Sequence, residues 1–164
     1  MAYSDALSLS DVLNGLKFKE SYHPMVNLTE FHKTFAPHQV NDDVTDQIER
    51  RMNLIEEEFE EVMQALNDMH RYALGYNSLT AEEAMVEVAS ELADLLYVVY
   101  GTAEELGIPL EQVFNAIHRA NMSKVWDDGT VHRNEFGKVI KPPNFVKADI
   151  NKVLYGKLDE TETT

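Results

Sequence analysis

Two long runs of helix-period apolar residues, separated by one short glycine-containing break, constrain what this chain can fold into. Met52, Ile55, Phe59, Val62, Leu66 and Met69 recur at alternating steps of 3 and 4. On a helix turning about 100° per residue, that spacing draws one narrow apolar stripe. Met85, Val88, Leu92, Leu95, Val99 and Leu106 draw a second stripe. The break of roughly ten residues around Gly75-Tyr76-Asn77-Ser78 is short enough to fold the two helices back as an antiparallel hairpin. The spacing predicts a first long helix from about Asp42 to Leu74, stopped by Gly75. A second opens at Thr80, whose hydroxyl stands three residues before Glu83 as a capping box, and stops at Gly107.

Both helices carry acids at matching offsets from their stripes. Glu58 lies about 60° to one side, Glu61 about 120° and Glu57 about 160°. On the second helix Glu91 lies about 60° and Asp94 about 120° away in the same rotational sense. In an antiparallel pair with facing stripes, equal offsets fall on one side, so the five carboxylates converge. An isolated run such as Glu56-Glu57-Glu58-Phe59-Glu60-Glu61 is ordinarily a solvated helix face. The second acidic pair weakens that reading, because converging like charges repel unless hard cations with oxygen ligands bridge them. Magnesium, with manganese able to substitute, fits such a set. The chain has no cysteine and its histidines are not placed to join the cluster, which argues against zinc. A di-iron bundle needs Glu-x-x-His on two helices, and the single match, Glu20 to His23, is followed by Pro24 and has no twin.

At 164 residues the expectation is one main domain spanning 28–156, preceded by an extension over 1–27 and followed by a disordered tail over 157–164. Ser10 or Asp11 starts a short helix in the extension, and Asn27 or Thr29 caps a brief helix through Phe31 and Phe35 before Pro37. Pro109 occupies a first-turn position of a helix reaching about Ser123, with Val113, Phe114 and Ile117 as its apolar face. Asp128-Gly129 and Phe136-Gly137 predict a loop or short hairpin over 126–143, and a last helix follows over about 146–154. The predicted fold class is all-α, an antiparallel bundle of about four to six helices.

The net charge of −15 is unevenly spread. Between Asp42 and Glu105 stand 17 acids and three arginines, whereas half of the 14 Lys and Arg residues fall between Arg119 and Lys152. So acidic a total excludes unaided nucleic-acid binding. No run of about 18 apolar residues occurs and the amino terminus lacks a basic-then-apolar signal pattern, so no membrane partner and a cytoplasmic location are expected. A local basic segment beside a cation-loaded acidic cluster suits a polyphosphate.

The motifs Glu57-Glu58-x-x-Glu61 and Glu91-Leu92-Ala93-Asp94 resemble the E-E-x-x-E and E-x-x-D signature of the MazG-like all-α nucleoside triphosphate pyrophosphohydrolases. The likeness continues through Glu91-Leu92-Ala93-Asp94-Leu95-Leu96-Tyr97, His118-Arg119-Ala120-Asn121-Met122-Ser123-Lys124 and Gly137-Lys138-Val139-Ile140-Lys141-Pro142. These segments resemble the branch joining bacterial and phage MazG-like proteins to all-α dUTPases. The resemblance implies hydrolysis of a (deoxy)nucleoside triphosphate to the monophosphate and pyrophosphate, with about two or three magnesium ions per site.

By the same resemblance, Glu58, Glu61, Glu91 and Asp94 are direct ligands, and Glu57 either binds a further ion or serves as the base. Asn121, Lys124, Lys138 and Lys141 hold phosphates or sugar. Arg119 either touches substrate or pairs with an acid, and His118 is structural. Phe31, His32 and Phe35 form a candidate base pocket; Trp126 either frames a base or belongs to the core. Helices with narrow stripes need further cover, so a homodimer or dimer of dimers is expected. Two alternatives stay open: a phosphoribosyl-ATP pyrophosphohydrolase, and a non-enzymatic acidic helical interaction module.

Overall fold

The computed structural model describes Ser8, Ser10, Leu28, Phe31, Thr34 and residues 43–156. Four helices have defined bounds among these residues: α1 (Val44–Ala73), α2 (Ala81–Glu105), α3 (Leu110–Met122) and α4 (Ile150–Tyr155). No strand occurs among the described residues, and the fold class is all-α, as the apolar spacing predicts. Ser10, Leu28, Phe31 and Thr34 are helical. Asp11, Glu20, His23, Asn27, Thr29, His32, Phe35 and the 157–164 tail lie outside the described residues. α1 and α2 belong to one compact unit, ending at Glu105; α3 and α4 belong to a second, beginning at Leu106.

The hairpin of α1 and α2 is antiparallel: Arg51 pairs with Glu105 near its open end, while Glu61 meets Glu91 nearer the turn. Local chemistry makes the turn. The N–H of Tyr76 bonds to the carbonyl of Arg71 at 2.8 Å and that of Gly75 to Tyr72 at 2.8 Å, the paired closure of a Schellman motif. That motif places Gly75 at φ 75°, where a side chain would be strained. Asn77 then ties the turn to α1 by donating to the Asp68 carbonyl at 2.8 Å. The capping box forms as expected: Thr80 N–H donates to Glu83 Oε2 at 2.8 Å, and Glu83 N–H to Thr80 Oγ1 at 3.1 Å.

The helix contact differs from the sequence expectation by a rotation. Val62 is buried within the predicted stripe, but Met52, Phe59 and Leu66 are 63%, 53% and 42% exposed. Their places facing α2 are taken by the next row of α1, with Arg51 and Ala65 buried and Glu58 half-buried. α2 turns the same way. Ala81, Ala84, Val88, Gly101 and Ala103 are buried while Leu92 is exposed. The buried rows hold Ala65, Ala81 and Ala84 beside Val62 and Val88, rather than the largest side chains. This rotation brings the acids closer to the contact and leaves an apolar row of α1 facing outward. Leu28, 1% exposed, completes the core of this unit.

In the second unit, Pro109 is the N-cap of α3 rather than a first-turn residue, and Ala116, not Phe114 or Ile117, is buried. The final helix begins at Ile150, later than the expected 146, because the Asp149 carboxylate accepts from the Lys152 N–H at 2.9 Å and sets the start there. Between them, an isolated antiparallel bridge joins Arg133 to Val139 within the expected hairpin segment. Trp126 is structural here. Its ring stacks on His132 with centroids 4.3 Å apart, and its indole N–H donates to the Ile140 carbonyl at 3.1 Å.

Candidate metal centre

The hairpin converts sequence spacing into a cluster. Glu58 and Glu61 are three residues apart and so neighbour one another on α1; α2, running back, sets Glu91 opposite them. One carboxylate oxygen from each of Glu58, Glu61 and Glu91 lies within 4.8 Å of the others. Asp94 stands outside that triplet, but its negative charge bears on both Glu58 and Glu91. Glu57 bears on Glu58 and also lines a separate shallow cleft with Asp46, Glu49, Arg50, Asn53 and Leu54.

The electrostatics are unfavourable without a cation. Partial withdrawal from water raises the Glu58 carboxyl above its ordinary value, and the charges of Glu61, Asp94, Glu57 and Glu91 raise it further. Glu91 is raised by the same withdrawal, then by Glu61, Glu87 and Asp94, and by a hydrogen bond with Glu61. Burial and like-charged neighbours thus disfavour the charged forms of Glu58 and Glu91, a burden that a cation among them would relieve. Glu87 is an addition to the sequence reading. Its signal was available, since it stands one turn before Glu91 on the acidic flank of α2.

The donor set fits a hard divalent ion: oxygen ligands only, a net excess of negative charge, and partial exposure that leaves room for substrate oxygens. Glu58, Glu61 and Glu91 are the residues able to hold it. No histidine joins them among the described residues.

Phe31, in the same unit, packs edge-on against Tyr97 with centroids 5.3 Å apart. Tyr97 is three residues beyond Asp94, so this aromatic pair lies one turn along α2 from the acids. His32 and Phe35 lie outside the described residues. Tyr97 closes the segment 91–97 that carries the family resemblance, although an aromatic on a helix is ordinarily core.

The basic residues lie in the second unit. At the end of α3, Lys124 donates its ammonium to the Asn121 amide oxygen at 2.7 Å. Arg119 lines an open cleft of about 750 Å³ with Asn115, Lys147, Asp149 and Lys152. Lys141 sits over the Phe145 ring at 4.8 Å from its centroid. The backbone N–H of Lys138 is held by Asn134 Oδ1 at 2.9 Å, and its side chain is exposed. His118 is exposed on α3.

A sequence model of the phosphoribosyl-ATP pyrophosphohydrolase family matches residues 28–121. That is more than half of the 164 residues, and the chain belongs to this family, within the MazG-like all-α superfamily. It is a pyrophosphohydrolase acting on a phosphoanhydride. No curated protein matches the chain. No helix among the described residues is long and apolar enough to cross a membrane.

Proposed function

We propose that this chain hydrolyses a nucleoside triphosphate, preferentially a deoxynucleotide, to the monophosphate and pyrophosphate at a magnesium site built by Glu58, Glu61 and Glu91. The observation that carries the proposal is the convergence of these three carboxylates from two helices within 4.8 Å. A solvated acidic face would spread such charges apart, and the interaction-module alternative has no use for their convergence. A bound divalent cation supplies neutralisation of the phosphate charge and a lowered pKa for the attacking water.

The chain's own groups do the rest. Glu58 and Glu91, whose carboxyls are raised by burial and by like-charged neighbours, supply negative charge that a cation would neutralise. Asp94 adds charge at the edge of the cluster and serves as a further ligand where about two or three ions bind. Glu57, on the flank of α1, serves either as a ligand to a further ion or as the base that takes a proton from the attacking water. Asn121, Lys124, Lys138, Lys141 and Arg119 bind phosphates and sugar. The resemblance of segments 118–124 and 137–142 to the deoxynucleotide-hydrolysing branch supports that role. Phe31, His32 and Phe35 contact the base, with the edge-on Phe31–Tyr97 pair as support. The outward apolar row of Met52, Phe59 and Leu66 supports a homodimer.

The family match favours a second reading, phosphoribosyl-ATP as substrate, which uses the same acids with a different base end. One assay separates the readings. Pyrophosphate release is followed over the common ribo- and deoxynucleoside triphosphates and phosphoribosyl-ATP, with magnesium or manganese. Release from a deoxynucleoside triphosphate supports the first reading, and release confined to phosphoribosyl-ATP supports the second. No release from any of them contradicts both.

A further inference from the structure

Of the three arginines between Asp42 and Glu105, two, Arg50 and Arg51, meet a single carboxylate, Glu105, at the end of α2. Arg51 pairs directly with Glu105 Oε1 and is only 7% exposed, the one charged residue buried among the described residues. Gln47 donates to Glu105 Oε2 at 3.2 Å, and Arg50 approaches the same oxygen at 3.6 Å. Burial and the neighbouring Arg50 charge lower the Arg51 pKa, with Glu104 acting in the opposite sense. The Arg51 Nε is buried with no acceptor among the described residues. A buried pair assembled at such cost is a weak stabiliser, and its best-attested use is to specify register.

Register is what such a pair can supply to this hairpin. The buried apolar residues of its arms, Val62 and Ala65 on α1 and Ala81, Ala84 and Val88 on α2, are small or of moderate size and non-directional in their packing. At its middle, Glu58, Glu61 and Glu91 set like charges within 4.8 Å of one another across the two arms. A slip of one turn moves a residue about 5.4 Å along the axis, which exceeds the 4.8 Å within which the three oxygens converge. The Schellman turn and the Thr80–Glu83 box hold one end. Arg51 lies about 15 Å from Glu61 along α1, toward the other.

We infer that Arg51 and Glu105 are a positioning pair, locking the open end of the hairpin so that Glu58 and Glu61 stay opposite Glu91 before any cation binds. The inference rests on the metal-centre reading above. It is tested with the full chain carrying Arg51→Met and Glu105→Leu together, which removes both charges and fills their volume. Mn²⁺ binding is measured by electron paramagnetic resonance, alongside the magnesium dependence of pyrophosphate release and thermal melting.

The double variant is expected to melt near the wild-type temperature, to bind Mn²⁺ about tenfold more weakly, and to need about tenfold more magnesium for half-activity, the scale of losing an outer-shell partner. At saturating magnesium its kcat returns to within about twofold, because the cation itself then draws the acids together. Arg51→Lys, which keeps a charge on Glu105, should bind Mn²⁺ to within about threefold of wild type. Unchanged Mn²⁺ affinity in the double variant, or a kcat that saturating magnesium does not restore, overturns the lock. A wild-type chain that binds no Mn²⁺ overturns the metal-centre reading and the lock with it; wild-type binding beside an equally tight double variant overturns the lock alone.

Discussion

The carboxylates of the first unit and the Asp128 carboxylate of the second are the same chemical group in opposite conditions. Asp128 accepts from the Thr130 N–H at 2.8 Å, from the Thr130 hydroxyl at 2.7 Å, and pairs with His132 Nε2 at 2.8 Å. Those donors lower its pKa to about 2. Glu58 and Glu91 have neighbours of their own sign and are raised. Asp128 is therefore satisfied within its own turn, whereas the hairpin acids lack such donors, which is the condition a cation would relieve on the reading proposed above.

The sharpest break in this comparison comes from removing the unsatisfied acids. Glu91→Ala or Glu61→Ala should lower pyrophosphate release by at least about 100-fold, the scale of losing one preorganised electrostatic contact. Asp128→Ala should leave a measurable rate under the same assay. Equal losses in all three variants would erase the distinction.

Stability gives the next largest contrast. At magnesium about 100 times its dissociation constant, binding to the folded state alone adds about 2.7 kcal/mol. For a chain of this length that raises Tm by about 5–10 °C. Glu91→Gln should abolish the shift in a thermal melt, and Asp128→Asn should preserve it. Gly75→Ala tests the turn that brings the acids together. A Cβ there meets no atom within 4 Å, so its cost is the left-handed backbone alone, about 1–2 kcal/mol by denaturant titration.

The smallest expected effects concern pH. In EDTA, Glu58 and Glu91 have raised folded-state pKa values, so the folded chain binds more protons than the unfolded one. Stability should then fall as pH rises from the ordinary glutamate range through the raised values, and Glu58→Gln should flatten that slope. Asp128 has the reverse sign. Its contribution is present above an unfolded value near about 3.9 and is lost as pH falls toward the depressed folded value. The single tryptophan, Trp126, sits in the same hairpin and reports it by fluorescence. Its emission should hold constant through the pH range over which the EDTA-treated helices weaken.

Much of this organisation was legible in the sequence because it rests on local chemistry. Gly75, Thr80 with Glu83, and Gly107 mark helix ends through backbone geometry and hydrogen bonds confined to a few residues. The convergence of Glu58, Glu61 and Glu91 followed from rotation arithmetic once the hairpin was antiparallel. What escaped depends on contacts distant in sequence. The buried row shifts toward Ala65 and Ala84, and a periodicity count of large apolar residues gives alanine little weight. The Arg51–Glu105 pair joins residues 54 apart, and an arginine in an acidic helix reads as solvated until its partner is found. The end of the chain was misjudged locally, where Asp149 starts α4 later than the apolar pattern implied.

The central claim is that acids from two antiparallel arms share one cation. It is tested most directly by anomalous diffraction from crystals soaked in Mn²⁺. The account predicts a manganese peak coordinated by Glu58, Glu61 and Glu91 together. Carboxylates splayed into solvent with no manganese among them, in crystals that bind it elsewhere, would contradict it.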